Sequence, residues 1–390
     1  IMRQVYLDHS ATTPMRKEVL ESMLPFLSEA YGNASSVHRW GREARIAVEE
    51  AREKIAELIG ASANEIYFTS GGTESDNIAI LGTAKAKENK GKHIITSSIE
   101  HHAVLDSCIE LEKRGFEITY VPVDSDGIVN PEDVRKALRE DTILVTIMLA
   151  NNEVGTIQPI KEIAEITKEA GVALHTDAVQ AAGSLKLDVN DLGVDMLTIS
   201  AHKFYGPKGI GILYVKRGPR PKPLVYGGNQ EKKVRPGTES VANIVGMAKA
   251  LELAVLEMDE VNERLTKLRN MLIEGVESSI PDVILNGHRE KRLPNNANIS
   301  FLFIEGESLI LSLDALGVAV SSGSACTSGS LDPSHVLMNM GMDHQQAHGS
   351  LRMTLGRGTS EEDIEYVLEK LPNIVDRLRA MSPLYNKVKE

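Results

Sequence analysis

Cysteine is scarce in this chain. Cys108 and Cys326 are the only two among 390 residues, too few for a disulfide framework, and they suit a reducing compartment. Positive charge is also in short supply, since 43 Lys and Arg face 55 Asp and Glu for a formal net charge of -12. That balance argues against a general nucleic-acid or anionic-membrane surface and leaves only local basic pockets. Long apolar runs are missing. The longest, around Ile143 to Ala150, is far too short to cross a bilayer, and the stretch up to Asp8 carries no basic and apolar leader. The expectation is a cytoplasmic protein that binds neither nucleic acid nor membrane. No internal repeat, low-complexity tract or long linker separates independent modules.

What is present is an ordinary globular composition, 42% hydrophobic and 25% charged, at a length that supports two domains. From Glu65 to Val215 short β-rich runs alternate with helical stretches: IYFTS (66–70), HIITSS (93–98), ITYVPV (118–123), ILVTIML (143–149), VALHT (172–176), MLTIS (196–200) and IGILYV (210–215). Alternation of this kind predicts an α/β fold, with a mostly parallel seven-stranded sheet covered on both faces. Near Leu251 the pattern changes to one long charged amphipathic helix, then a strand-like NANISFLF and a further helix, which reads as a smaller α+β domain. The expected division is a large domain over 14–250 and a small domain made of 1–13 and 251–390, the latter carrying a loop at about 321–335.

Three segments carry chemistry. In EIYFTSGGTESDN a strand meets a Gly-Gly turn and a helix start, so Gly72 and Thr73 offer free N–H groups and a positive dipole end to a phosphate. The segment is neither a Walker loop nor a dinucleotide fingerprint. In TISAHKFYGPKG, Lys203 follows Ser200 and His202 in an apolar, glycine-rich setting, where desolvation would lower its pKa and free the amine for Schiff-base chemistry. Earlier, in VALHTDAVQ, Asp177 closes a strand. Pyridoxal phosphate needs such a carboxylate against its pyridine nitrogen, and strand-end residues of neighbouring βα units face one crevice. The two cysteines differ in context. Cys108 lies at helical spacing and reads as a buried residue, whereas Cys326 lies among small residues, Gly and Pro in an accessible loop.

The motifs LDHSATTP, GNASSVH, SGGTESDN, EHHAVL, NNEVGTIQP, HTDAVQ, SAHKFYGPKG, RPGTES, SSGSACTSG and SLRMTLGR, in this order from about Tyr6 to Arg357, closely resemble the NifS/IscS-type cysteine desulfurases. The resemblance implies the pyridoxal-phosphate fold-type I within the class V aminotransferases, with pyridoxal 5'-phosphate as cofactor and L-cysteine as substrate. By it, Lys203 forms the Schiff base and Asp177 pairs with the pyridinium nitrogen. His101 stacks on the ring and assists proton transfer, and Gln180 donates to the phenolic oxygen. Asn152 meets that oxygen or the substrate. Gly72, Thr73, Ser200 and His202 hold the phosphate, and Thr238 reaches the phosphate of the neighbouring subunit, which makes a homodimer with shared sites. Arg352 binds the substrate carboxylate, with Arg357 as competitor. Cys326 takes the sulfur as a persulfide and hands it to an iron–sulfur scaffold or another acceptor. Its long loop resembles the branch that passes sulfur directly to scaffold proteins.

Other readings stay open on the residues alone. An aminotransferase or a lyase would use Lys203 and Asp177 without needing Cys326, and a non-enzymatic assembly partner would need neither. His344 and His348 have i, i+4 spacing in HQQAH, but the catalytic Glu of a zinc peptidase is missing, so no metal site is expected.

Overall fold

A computed structural model describes residues 3–322 and 332–385. After β1 (Val5–Tyr6) come the seven strands of the main sheet: β2 (Ile66–Thr69), β3 (His93–Ser97), β4 (Glu117–Val121), β5 (Thr142–Thr146), β6 (Ala173–Asp177), β7 (Met196–Ser200) and β8 (Gly211–Val215). Their spatial order is β2-β8-β7-β6-β5-β3-β4. Every pair is parallel except those made by β8, which runs antiparallel to both β2 and β7. The cause lies in chain length. Only residues 201–210 join β7 to β8, too few for the helical crossover that a parallel return requires. Residues of β2, β3, β5, β7 and β8 are buried throughout, because helices cover both faces, whereas the edge strand β4 is partly exposed.

The remaining strands are β9 (Val283–Leu285), β10 (Asn296–Phe301), β11 (Val318–Ala319) and β12 (Ser350–Thr354). Antiparallel β12-β10-β9 forms a second sheet, and β1 pairs with β11 in parallel. A separate apolar core joins Leu7, Leu272, Val276, Ile299, Leu313, Leu351 and Val367 under the helices Met258–Ser279 and Glu361–Met381. The single long helix expected from Leu251 onward is instead two. Val241–Leu256 packs Ala242, Ile244, Met247 and Leu251 into the main core, and the chain turns at Glu257 before Met258–Ser279 begins. Glu257 has reason to sit at a break, since its carboxylate takes both Arg16 and Arg357.

All the strand-end segments singled out in the sequence leave the same edge of the main sheet. The turn after β2 leads to Thr73, β3 to His101, β5 to Asn152, β6 ends on Asp177, and β7 ends on Ser200 ahead of Lys203. This carboxyl edge is where open parallel sheets bind ligands.

Candidate active site

The phosphate-type turn is shaped by close packing. Gly71 holds φ +152, and a Cβ on Gly72 would stand 2.8 Å from Val179. A Cβ on Gly211, at the start of β8, would stand 2.8 Å from the Gly71 Cα. Larger residues there would push the turn off the sheet. Helix Gly72–Asn77 continues through a wider π-turn, Ile78–Gly82, into Thr83–Lys87, so its N-terminal amides carry the dipole of a longer helix. Thr73 is exposed at that terminus and Ser200 is buried behind it, its Oγ 3.8 Å from where a Gly71 Cβ would lie. Nδ1 of His202 shares a hydrogen bond with the Thr12 hydroxyl at 3.1 Å. Burial, then the charge of Lys203, lowers the His202 pKa to about 4, so its ring is neutral at pH 7.

Asp177 is buried at the end of β6 and accepts one hydrogen bond from Val179 N–H at 2.9 Å. Burial raises its pKa to about 6, against the lowering effects of that bond and of Lys203. Beneath it lies a polar chain that sequence reasoning missed. Asp76 is also buried, and its Oδ1 has no hydrogen-bond partner and lies 3.6 Å from His175 Nε2. His175 shares hydrogen bonds with Thr146 at 2.8 Å and Thr198 at 3.0 Å. Burial lowers the His175 pKa to about 3, so this ring is neutral too. Burial, then the charge of Asp177, pushes Asp76 well above the ordinary carboxylate range. Burial and the neighbouring carboxylate thus both favour the neutral form of Asp76. The period-two pattern of β6 put both His175 and Asp177 on one face, but nothing in HTDAVQ named Asp76 as their neighbour.

Lys203 is half-buried, and its amine donates to two main-chain carbonyls, that of Ser10 and, at 2.9 Å, that of Ala11. Gln180 Nε2 donates to the same Ser10 carbonyl at 3.0 Å, so one N-terminal carbonyl gathers both side chains. His101 caps the helix His102–Lys113, its Nδ1 accepting from Ala103 N–H at 3.1 Å. That bond leaves the ring proton on Nε2. Burial first, then Lys203, lowers its pKa to about 4.

Arg352, on β12, reaches this edge. Its Nη1 donates to the Asn152 carbonyl at 3.0 Å and its Nη2 lies 3.1 Å from Asp8 Oδ1. Asn152 thus meets Arg352 through its main chain. The competitor, Arg357, is exposed and held by Glu257 at 2.9 Å. Cys326 lies outside the described residues, but the chain on either side of 323–331 is tied to this site. Ser321 exchanges main-chain hydrogen bonds with Arg352 at 3.2 and 2.7 Å. Ser334 donates its hydroxyl to Glu153, and His335 Nε2 bonds the Glu100 carbonyl at 2.9 Å. Cys108 is fully buried, and burial pushes its thiol pKa strongly up. His344 and His348 stand 6.4 Å apart, ring to ring, and among the described residues no group of three metal-ligating side chains forms.

Thr238 is exposed on the turn after Gly237. Upstream, Glu231, Lys232 and Lys233 are left-handed, at φ 44, 53 and 66, a conformation that costs about 1–3 kcal/mol per non-glycine residue. The buried Arg52 offsets part of that by pairing two-pronged with Glu231 at 2.8 and 2.7 Å. Arg235 then pairs with Glu74 at 2.8 Å, which brings this segment beside the phosphate-type turn of its own chain.

The geometry agrees with what the chain is similar to. The family description "Aminotransferase class-V" matches residues 5–367. This chain belongs to the class-V aminotransferase family. A class-V relative from Dictyoglomus turgidum, "Cysteine desulfurase IscS", is 60% identical over 98% of this chain and 97% of its own length. Another of that name from Methanosarcina thermophila is 57% identical over 99% of this chain and 95% of its own. A solved "NIFS-LIKE PROTEIN" superposes with a TM-score of 0.91 at 42% identity, covering 96% of this chain and all of that one. The seven-stranded sheet with its β8 reversal is the pyridoxal-phosphate fold-type I of this family.

Proposed function

We propose that this protein is a cysteine desulfurase that uses pyridoxal 5'-phosphate to convert L-cysteine to L-alanine, with the sulfur carried as a persulfide on Cys326. The observation that carries the reading is that the buried Asp177 carboxyl and the Lys203 amine, whose charge acts on it, stand at the same carboxyl edge of the sheet, with Arg352 also at that edge. The residues fit the cofactor. A buried carboxyl with a raised proton affinity matches a protonated pyridine nitrogen, and the glycine turn, Thr73, Ser200 and His202 match a phosphate. When bound, the cofactor supplies an electron sink for charge developed at the substrate α-carbon.

This chain's residues do the rest. Lys203 is the residue that would hold the cofactor covalently, and its amine, once free, would take the substrate α-proton. The neutral ring of His101 would stack on the bound cofactor, with its Nε2–H available to a developing negative charge. Gln180 would orient the cofactor's phenolic oxygen, and Arg352 with Asn152 would place the substrate carboxylate. The Cys326 thiolate attacks the substrate sulfur as the carbon–sulfur bond breaks, and a proton returns to the β-carbon. Thiol and cysteine enter, and persulfide and alanine leave, so no external oxidant or reductant is needed. The persulfide passes to an iron–sulfur scaffold or another acceptor in the reducing cytoplasm. Among the described residues no helix is long and apolar enough to cross a membrane. On this reading 14–250 is the cofactor-binding unit, and 1–13 with 251–390 bring in Arg352 and Cys326. Cofactor-saturated protein given L-cysteine and a thiol reductant, which reduces the persulfide to free the sulfur, should release alanine and sulfide in equal amounts. Pyruvate and ammonia would mark a lyase instead, and accumulating pyridoxamine phosphate an aminotransferase.

Thr238 completes the phosphate site of the partner in a homodimer, on the same reading. Thr238→Ala and Lys203→Ala subunits, each weak alone, should regain activity when mixed, because one heterodimer site then has both residues. No gain on mixing, or a fully active monomer in sedimentation, would overturn sharing.

The Asp177 pKa sets a stability test. Its folded value, about 6, lies above the ordinary 3.8, so the proton is held more tightly in the folded protein. The resulting stabilisation is full below about pH 4 and is lost as pH rises through 6. In cofactor-free protein at pH 8, Asp177→Asn should therefore raise Tm by several degrees, removing a penalty of up to about 3 kcal/mol, and the gap should close near pH 4. Cofactor should reverse the order at pH 8, because only the carboxylate rewards a protonated ring. A cofactor-free Asn variant that melts below wild type at pH 8 would refute the assignment.

A further inference from the structure

Asp8 has no role in the reaction outlined above, yet it lies on the substrate clamp. Its Oδ1 is 3.1 Å from Arg352 Nη2, and the Arg352 side chain is 4% exposed against 22% for Asp8. Main-chain pairing fixes this contact from both sides. Asp8 bridges Thr354, two residues beyond Arg352 on β12, and His9 N–H bonds the Thr354 carbonyl at 3.2 Å. The Tyr6 hydroxyl donates to the Asp8 carbonyl at 3.1 Å. Arg352 has five N–H donors. One goes to Asn152 and one to Asp8, and its buried Nε has no partner. Donors therefore remain for an incoming carboxylate, on a guanidinium whose charge Asp8 already opposes.

We propose that Asp8 is a positioning and affinity-limiting residue that balances Arg352, so that the clamp orients the substrate carboxylate and still lets alanine go. The inference rests on the reading of Arg352 as the carboxylate site. Substrate and product carry the same carboxylate and the same α-amine and differ only by a thiol. An unopposed guanidinium in so buried a place would hold both tightly. Tightness shared by substrate and product gives no gain in the chemical step and slows release. Asp8 takes part of that attraction away while keeping the planar fork in place.

The test uses the cofactor-loaded protein with Asp8→Asn, whose amide oxygen can still accept from Nη2. The inhibition constant for L-alanine and the KM for L-cysteine should fall together by about tenfold, a change of about 1.4 kcal/mol. Titration calorimetry should show the same tightening for L-alanine and none for L-alaninamide, which lacks the carboxylate. A residue that only propped Arg352 would give the opposite sign, with weaker alanine binding. Weaker or unchanged alanine binding in Asp8→Asn, while Arg352→Gln still abolishes it, would overturn the role of Asp8 and leave the carboxylate site standing. If Arg352→Gln bound alanine like wild type, the carboxylate site itself would fail, and this inference with it.

Discussion

On the proposed function, Lys203→Ala should reduce alanine formation from L-cysteine by about 10⁴-fold or more, since it would remove both the covalent tether and the base for the α-proton. It should also abolish the visible absorbance of the tethered cofactor. The fold should survive. Lys203 is half-buried and sits on a three-residue 3-10 turn, Ala201–Lys203, whose apolar anchors are the buried Ala201 and Phe204. Its amine stabilises the Ser10 and Ala11 carbonyls, and Gln180 still donates to the first of these after truncation. Tm should shift by no more than a few degrees, with the sedimentation of the variant unchanged. Added primary amines should restore part of the proton transfer and none of the tether. A variant that keeps desulfurase turnover within tenfold of wild type would remove Lys203 from the site.

How much of this was legible beforehand depended on range along the chain. The seven strands of the main sheet stand within two residues at their starts of where β-rich runs predicted them, because strands buried on both faces read as continuous apolar segments. The common edge of Asp177, Ser200 and Lys203 was legible for a related reason: each closes or follows a strand, and strand ends share one edge. Partnerships between distant segments were not legible. LDHSATTP gave no sign that Ser10 would gather Lys203 and Gln180, or that Asp8 would face Arg352 across 344 residues of chain. Asp76 hid for a different reason, as a polar residue in the first turns of an exposed-looking helix start. Only packing against His175 and Thr198 made it a buried acid. The helix break at Glu257 was invisible because ALELAVLEMDEVNERL keeps helical spacing across it, and the break is set by Arg16 and Arg357.

Cys326→Ser should still bind cofactor and L-cysteine and exchange the substrate α-proton, yet form sulfide at about 10³-fold below the wild-type rate, because the serine hydroxyl is a far weaker nucleophile toward sulfur. The placement of the neighbouring chain supports this. Ser321 is hydrogen-bonded to Arg352 through the main chain, and His335, beyond the segment, is bonded to Glu100 next to His101. Cys108 offers no alternative, since it is packed against Ile94, Val104 and Leu111 with its thiol pushed toward the neutral form. Wild-type protein treated with L-cysteine should gain the mass of one sulfur atom on the peptide containing Cys326, removable by reductant, with none on the peptide containing Cys108. Sulfur on Cys108, or a normal rate of sulfide and alanine from Cys326→Ser, would mean that the sulfur leaves the substrate by a route that does not involve a protein thiolate at residue 326.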